Sequence, residues 1–492
     1  MLRNIRRALA VFSIIAVTAL FLDFTGTVHA WLGWMAKIQF LPALLALNVG
    51  VIAALVVLTL LFGRLYCSVI CPLGIMQDGF AWFGKKAKRN RYRYSPAKNV
   101  LRYSMLGVMV VAIVLGIGSL VALLAPYSAY GRIAGSFLSP LWMWGNNLLA
   151  KWAEHRGSYD FYTVDVWLKG WVTLIVGGIT LVALAVLAWR NGRTYCNTIC
   201  PVGTVLGFLS RFSLFKIVID TSRCNGCGLC ARNCKSACID SKAHAVDYSR
   251  CVACMDCVGK CHQNAISFRL AKFRKEKTPA PAPDPSRRNF VAAAAGVAGA
   301  MVLKAEEKVV DGGLAVIEEK KIPLRRTRIV PPGARGLRHL SSHCTACQLC
   351  VSVCPNEVLR PSTDLLTLMQ PESSYERGYC RPECTRCSEV CPAGAILPID
   401  RADKSSIQIG HAVWIKENCV VLTDGVSCGN CARHCPVGAI RMVKSDPSNP
   451  GSPRIPVVNE ERCIGCGACE NLCPARPFSA IYVEGHETHR VI

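Results

Sequence analysis

Cysteine supplies the chemistry of this chain: 29 of its 492 residues are cysteines, and most stand in six groups of four. Cys224-x2-Cys227-x2-Cys230-x3-Cys234 is followed by Cys251-x2-Cys254-x2-Cys257-x3-Cys261. Four further groups end in Cys-Pro: Cys344, Cys347, Cys350 and Cys354; Cys380, Cys384, Cys387 and Cys391; Cys419, Cys428, Cys431 and Cys435; and Cys463, Cys466, Cys469 and Cys473. Three cysteines two residues apart let a tight loop wrap three corners of a [4Fe–4S] cube, and the fourth reaches a neighbouring cube where two are held together. The spacing therefore predicts six [4Fe–4S] clusters, with Cys234 on the cluster of the second group and Cys261 on that of the first. Zinc sites pair Cys-x2-Cys hooks across a longer gap, a form these groups do not have. Among the last four groups, sequential and nested pairing both stay open. Glycine and small residues in "CNGCGLC" and "CIGCGAC" leave room for backbone N–H groups to face the sulfurs.

Five cysteines fall outside the groups. Cys238 is either a packed free thiol or an alternative to Cys234. The other four form two similar motifs, "RLYCSVICPLG" with Cys67 and Cys71, and "RTYCNTICPVG" with Cys196 and Cys200. This internal repeat suggests that the two face each other. They read as redox-active thiols, as a metal site, or as two structural Cys-Pro helix stops. No Cys-x2-Cys-His occurs, so c-type haem is not expected, and the apolar runs hold no histidine for a membrane haem. Walker and dinucleotide-binding glycine motifs are absent.

The elements that must position these groups are of two kinds. Apolar residues make up 52% of the chain and charged residues 18%, and the apolar ones cluster early. Runs at Ala8–Leu22, Leu41–Phe62, Met105–Leu124 and Val172–Trp189 approach the ~20 residues needed to span a bilayer. Arg3, Arg6 and Arg7 precede the first run. Arg64, Lys85, Lys86, Lys88, Arg89, Arg91, Arg93 and Lys98 fill the loop between the second and third. The positive-inside rule then puts the N-terminus, that loop and the segment after Trp189 in the cytoplasm. The net charge of +25 follows these flanks and comes without a nucleic-acid-binding motif, so a membrane is the expected partner and nucleic acid is not.

A second kind of signal lies past the middle. After the proline-rich "KTPAPAPDP" comes "SRRNFVAAAAGVAGAMVL", which reads as a twin-arginine export signal. Its apolar part, Phe290–Leu303, is short for an ordinary span. Arg287 and Arg288 thus begin a second crossing, and such a route suits folded, cluster-loaded cargo. The expected order is a membrane domain over 1–190, a cytoplasmic two-cluster domain over 191–273, a linker and signal over 274–303, and a periplasmic four-cluster domain over 304–492.

Four spans, two "YCxxxCPxG" motifs and two cytoplasmic groups resemble the NapH-type membrane ferredoxins, whose membrane core the NosR and CcoG families share. The signal with four further groups, the Cys419-x8-Cys428 gap and "IGHAVWIKENC" resemble the NapG/MauM-type periplasmic ferredoxins. Together they look like a fusion of the two. The resemblance implies an α-helical membrane domain, four spans plus a short fifth anchor, joined to α+β bacterial-type [4Fe–4S] ferredoxin domains. No clear Ala-x-Ala follows the signal, so it is expected to stay as that anchor. The implied function is electron transfer in a bacterial inner membrane, from the quinol pool to a periplasmic reductase or cytochrome. A quinone is thus a candidate cofactor, and the chain an electron-transfer subunit of a quinol-oxidising oxidoreductase. A CcoG-like maturation or repair factor is the alternative. There Cys67, Cys71, Cys196 and Cys200 would reduce a metal or disulfide on a client.

Overall fold

The computed structural model describes residues 2–87, 92–270 and 318–492. The stretch read as a twin-arginine signal, with Arg287, Arg288 and Phe290–Leu303, lies outside the described residues, as do the whole proline-rich linker and the basic residues Lys88, Arg89 and Arg91.

Up to Phe212 the described residues are helical apart from their connections. Two helices are long and apolar enough to cross a membrane, Leu2–Leu22 and Trp171–Asn191, each of 21 residues. This corrects the expectation of four uninterrupted spans. The run Leu41–Phe62 is broken into the helices Phe40–Leu45 and Val49–Phe62. Leu47 takes a positive φ of 52°, and the Asn48 side chain caps the second helix by accepting from the Val51 amide at 3.2 Å. A polar side chain that satisfies a helix start also ends the preceding helix. The run Met105–Leu124 breaks likewise between Asn99–Val114 and Gly118–Leu124. There Gly116, at φ 69°, adopts the left-handed conformation that glycine tolerates.

The rest is α+β, built from five two-stranded antiparallel sheets among the described residues. Strand Phe215–Ile219 pairs with Ile266–Leu270 and brackets the first two cysteine groups. In the C-terminal part, Ile407–Trp414 pairs with Ile481–Val491, and Ile440–Lys444 with Arg454–Val458. Such short sheets bury little area, so the groups they carry must contribute to holding them.

Both sheet regions dock on the helices. On one side, Gly192 and Gly207 lie so close to the backbone of the first sheet region that an added Cβ would stand 2.3 Å from Lys235 O and 2.5 Å from Ser249 O. There Asp78, on helix Pro72–Lys86, receives Arg193 at 2.7 Å, Lys235 at 2.7 Å and Arg6 at 3.4 Å. Burial alone would raise the Asp78 carboxyl, but Arg193 and Lys235 outweigh it and hold the group well below the usual range. Arg6 and Arg64, read from the sequence as charge flanking the apolar runs, are buried. On the other side, one apolar core unites Phe21, Tyr127 and Ile133 of the helices with Cys344, Cys347 and Leu349 of the C-terminal part.

Candidate metal centres

The Cys-x2-Cys-x2-Cys loops share one backbone. The second and fourth residues after the first cysteine take positive φ: Gly226 and Gly228, Ala253 and Met255, Ala346 and Gln348, Gly465 and Gly467. Left-handed residues alternating with ordinary ones turn successive N–H groups to the same inner side, the geometry of an anion nest. Glycine adopts this without cost, whereas alanine, methionine and glutamine hold it under strain. A short helix follows three of these loops and buries the third cysteine, as in Leu229–Arg232, Leu349–Ser352 and Ala468–Asn471.

Tertiary contact then brings in the fourth cysteine. Cys224, Cys227, Cys230 and Cys261 line one cavity. Cys234 faces Cys254 and Cys257 of the second group, so each of these two groups places its fourth thiol beside the other's first three. In the C-terminal part, Cys391 lies with Cys344, Cys347 and Cys350. Cys354 lines a cavity with Cys380, Cys384 and Cys387. Cys473 lines another with Cys419, Cys428 and Cys431, and Cys435 faces Cys463 and Cys466. Of the two pairings left open, the chain folds into the sequential one.

Cys238 is buried in the second of these sites, its sulfur 3.5 Å from that of Cys234. It is a fifth thiol there, on the same side as Cys251. Among the described residues no three His, Cys, Asp or Glu side chains gather closely enough to hold a single metal ion. An all-cysteine donor set spread wider than one ion requires is the set that suits an iron–sulfur cube. Burial pushes the thiols of Cys254, Cys347 and Cys466 up to about 12, so cluster binding must displace their protons. At the last loop, Lys320 donates to the carbonyls of Glu470 and Asn471 at 2.7 Å.

The two Cys-x3-Cys-Pro motifs do face each other. In each, a glycine of positive φ, Gly63 or Gly192, ends the long helix, and a five-residue helix carries the first cysteine. The second cysteine then starts a helix with proline at its first turn, Pro72–Lys86 or Pro201–Leu209, where a missing N–H costs nothing. The arginine three residues before the first cysteine crosses to the other copy. Arg64 donates to Cys196 O at 3.1 Å and Arg193 to Cys67 O at 2.5 Å. Gly74 and Gly203 pack so tightly on those same carbonyls that a Cβ would lie 2.3 Å from either oxygen. The four cysteines are each 4% exposed.

Arg64, Arg193, Asp78 and Gln77 were not read from the sequence as functional. The arginines had a signal, since "GR" precedes both "YC" motifs. Asp78 had none, because the matching position of the second copy is Gly207.

A family model described as a 4Fe-4S binding domain matches residues 43–91 and 173–219, and one described as a 4Fe-4S dicluster domain matches 426–476. The chain is 30% identical over 165 residues to the methylamine utilization ferredoxin-type protein MauM of Methylobacillus flagellatus, which is 33% of this chain and 70% of that protein. It is 29% identical over 179 residues to the ferredoxin-type protein NapG of Escherichia coli, 33% of this chain and 75% of the relative. With MauM of Paracoccus denitrificans it shares 29% over 219 residues, 42% of this chain and 87% of that protein. No solved structure matches.

Proposed function

This chain belongs to the family of ferredoxin-type proteins that includes MauM, and from that premise we propose that it is a membrane-bound conduit carrying electrons from quinol toward a periplasmic reductase. In this reading the six cysteine sites hold six [4Fe–4S] clusters, and a NapH-like helical half is fused to a NapG-like C-terminal half. When bound, the clusters supply a row of one-electron carriers. The protein holds them in place and sets their potentials through burial and N–H groups.

One observation carries the reading: the two sheet regions dock at opposite ends of the helix Leu2–Leu22. At its start Arg7 pairs with Asp256 at 3.1 Å, beside Cys257. Just past its end Arg386, beside Cys387, donates to Phe24 O at 3.3 Å. A helix of that length is about 30 Å long, the thickness of a hydrocarbon core. The helical part also presents an apolar exterior. Leu9, Phe12, Ile15, Ile175, Ile179, Val182, Val110 and Val114 are all exposed, more than a water-soluble surface tolerates. The basic loops face the Cys224–Cys261 side, and the twin-arginine signal precedes the other. Membrane lipid is therefore the surrounding partner, with the first cluster pair in the cytoplasm and the last four in the periplasm. Against the alternative of a maturation factor stands the burial of Cys67, Cys71, Cys196 and Cys200, which keeps them from any client.

The test is reduction by a quinol of the full chain in lipid, followed by electron paramagnetic resonance. The clusters of the C-terminal half are reduced if the reading holds. If quinol leaves every cluster oxidised while dithionite reduces them, the conduit reading fails. Replacing Arg287 and Arg288 by lysine strands the C-terminal half inside. Equal access of a periplasmic protease in that variant overturns the topology.

A further inference from the structure

Two cluster-bearing regions about 30 Å apart are too distant for a single electron step, and the mechanism above assigns nothing to the cysteines between them. We infer that Cys67, Cys71, Cys196 and Cys200 together hold a seventh [4Fe–4S] cluster, two ligands from each repeat, and that this cluster divides the crossing. The relay role rests on the conduit reading; the site itself does not.

The donor set is the first argument. Four thiols from two copies of one motif converge in a core with no histidine or carboxylate among them, and none is joined in a disulfide. N–H groups address their sulfurs as they do in known cluster loops. The Gly203 amide is 3.4 Å from Cys200 Sγ, Gln77 Nε2 is 3.2 Å from Cys196 Sγ, and Arg64 Nη2 is 3.9 Å from Cys67 Sγ. Cys71 and Cys200 each stand at the start of a helix, where the positive end of the helix dipole favours a thiolate.

Charge is the second and independent argument. Arg64 is fully buried, yet its hydrogen bonds go to Asn197 Oδ1, Ser249 O and Cys196 O, and among the described residues it has no carboxylate. Buried cations without anions are strongly unfavourable. A cube held by four thiolates carries about two negative charges when oxidised, and it would supply the missing counter-charge.

Position is the third. On one side, Asn197, next to Cys196, donates to Ser236 O at 3.1 Å, two residues from Cys234. On the other, helix Pro126–Ile133 packs against helix Pro72–Lys86, which begins at Cys71. Gly131 packs on the Cys347 backbone so that a Cβ would lie 2.3 Å from its oxygen. The four cysteines thus lie between the second and third of the six sites.

The experiment is native mass spectrometry and Mössbauer spectroscopy on the full chain, purified anaerobically in detergent. Seven clusters, about 28 iron atoms, are expected in the natural protein, and six in Cys67→Ala/Cys196→Ala. Six in both overturns the site, and so does a loss of one or two iron atoms in place of four. Should the double variant not fold, the cluster count of the natural protein alone still decides. Seven clusters with no quinol reduction would leave the site standing and sink only the conduit.

Discussion

Asp78 is the pin between the helical part and the first cluster region, and Asp78→Asn tests that directly. The carboxylate is 15% exposed, and its partners Arg193 and Lys235 are 0% and 9% exposed. Removing one member of a buried ion pair leaves the others uncompensated, at a cost of about 3–5 kcal/mol. Lys235 keeps Asp256 at 3.3 Å, which places the expected loss at the lower end, about 3 kcal/mol. At about 1.4 kcal/mol per decade, the undocked state becomes roughly 100-fold more populated. Hydrogen exchange of the full chain reads this where amides cross the boundary: Arg193 N to Lys235 O at 2.7 Å and Leu214 N to Leu60 O at 2.8 Å. Exchange there speeds up by that factor, while the strands at Ile407–Trp414 and Ile481–Val491 do not change. Exchange at Arg193 within about threefold of the natural protein would show that packing at Gly192 and Gly207 holds the boundary and that the charge cluster does not.

The same carboxylate sets a pH dependence. Its folded pKa is depressed, so its stabilisation is present above the unfolded value of about 3.9 and is lost as the pH falls below it. Calorimetry should therefore show the docking transition dropping in temperature from about pH 5 to about pH 3, and Asp78→Asn should flatten that slope; equal slopes refute it. Gly467→Ala puts a Cβ 2.2 Å from the Tyr375 ring at a φ of +81°, so a destabilisation of at least about 2 kcal/mol is expected from backbone strain and overpacking. An unchanged urea midpoint would contradict it. Cys238→Ala should leave the iron content unaltered if Cys234 is the fourth ligand of the second site, as proposed; a loss of about four iron atoms would make Cys238 a ligand.

Much of the chemistry was legible in short windows. Cys-x2-Cys-x2-Cys is a local pattern, and the loop it demands involves few residues, so the glycines of "CNGCGLC" and "CIGCGAC" announce the left-handed turns in advance. Alanine, methionine and glutamine at the same places in other groups do not, since they adopt the conformation only because surrounding contacts hold it. The breaks at Ala46–Asn48 and Leu115–Ile117 were also marked, by Asn48 and Gly116. A hydropathy run averages over one polar residue or one glycine, and so read each pair of helices as a single span.

By itself the sequence determined the residue types and the spacing along the chain, and with them the class of cofactor, the cysteines of each loop and the likeness of the two Cys-Pro motifs. Tertiary structure alone decided which loop each fourth cysteine joins, because a ligand some thirty residues away reaches a cluster only when the two halves of a sheet region fold together. It also decided that Arg64 and Arg193 exchange between the repeats and that Asp78, with no counterpart in the second copy, gathers three cations. These are contacts between residues up to 157 positions apart. Their energies come from burial and from the closeness of opposite charges, quantities that do not exist until the chain is packed.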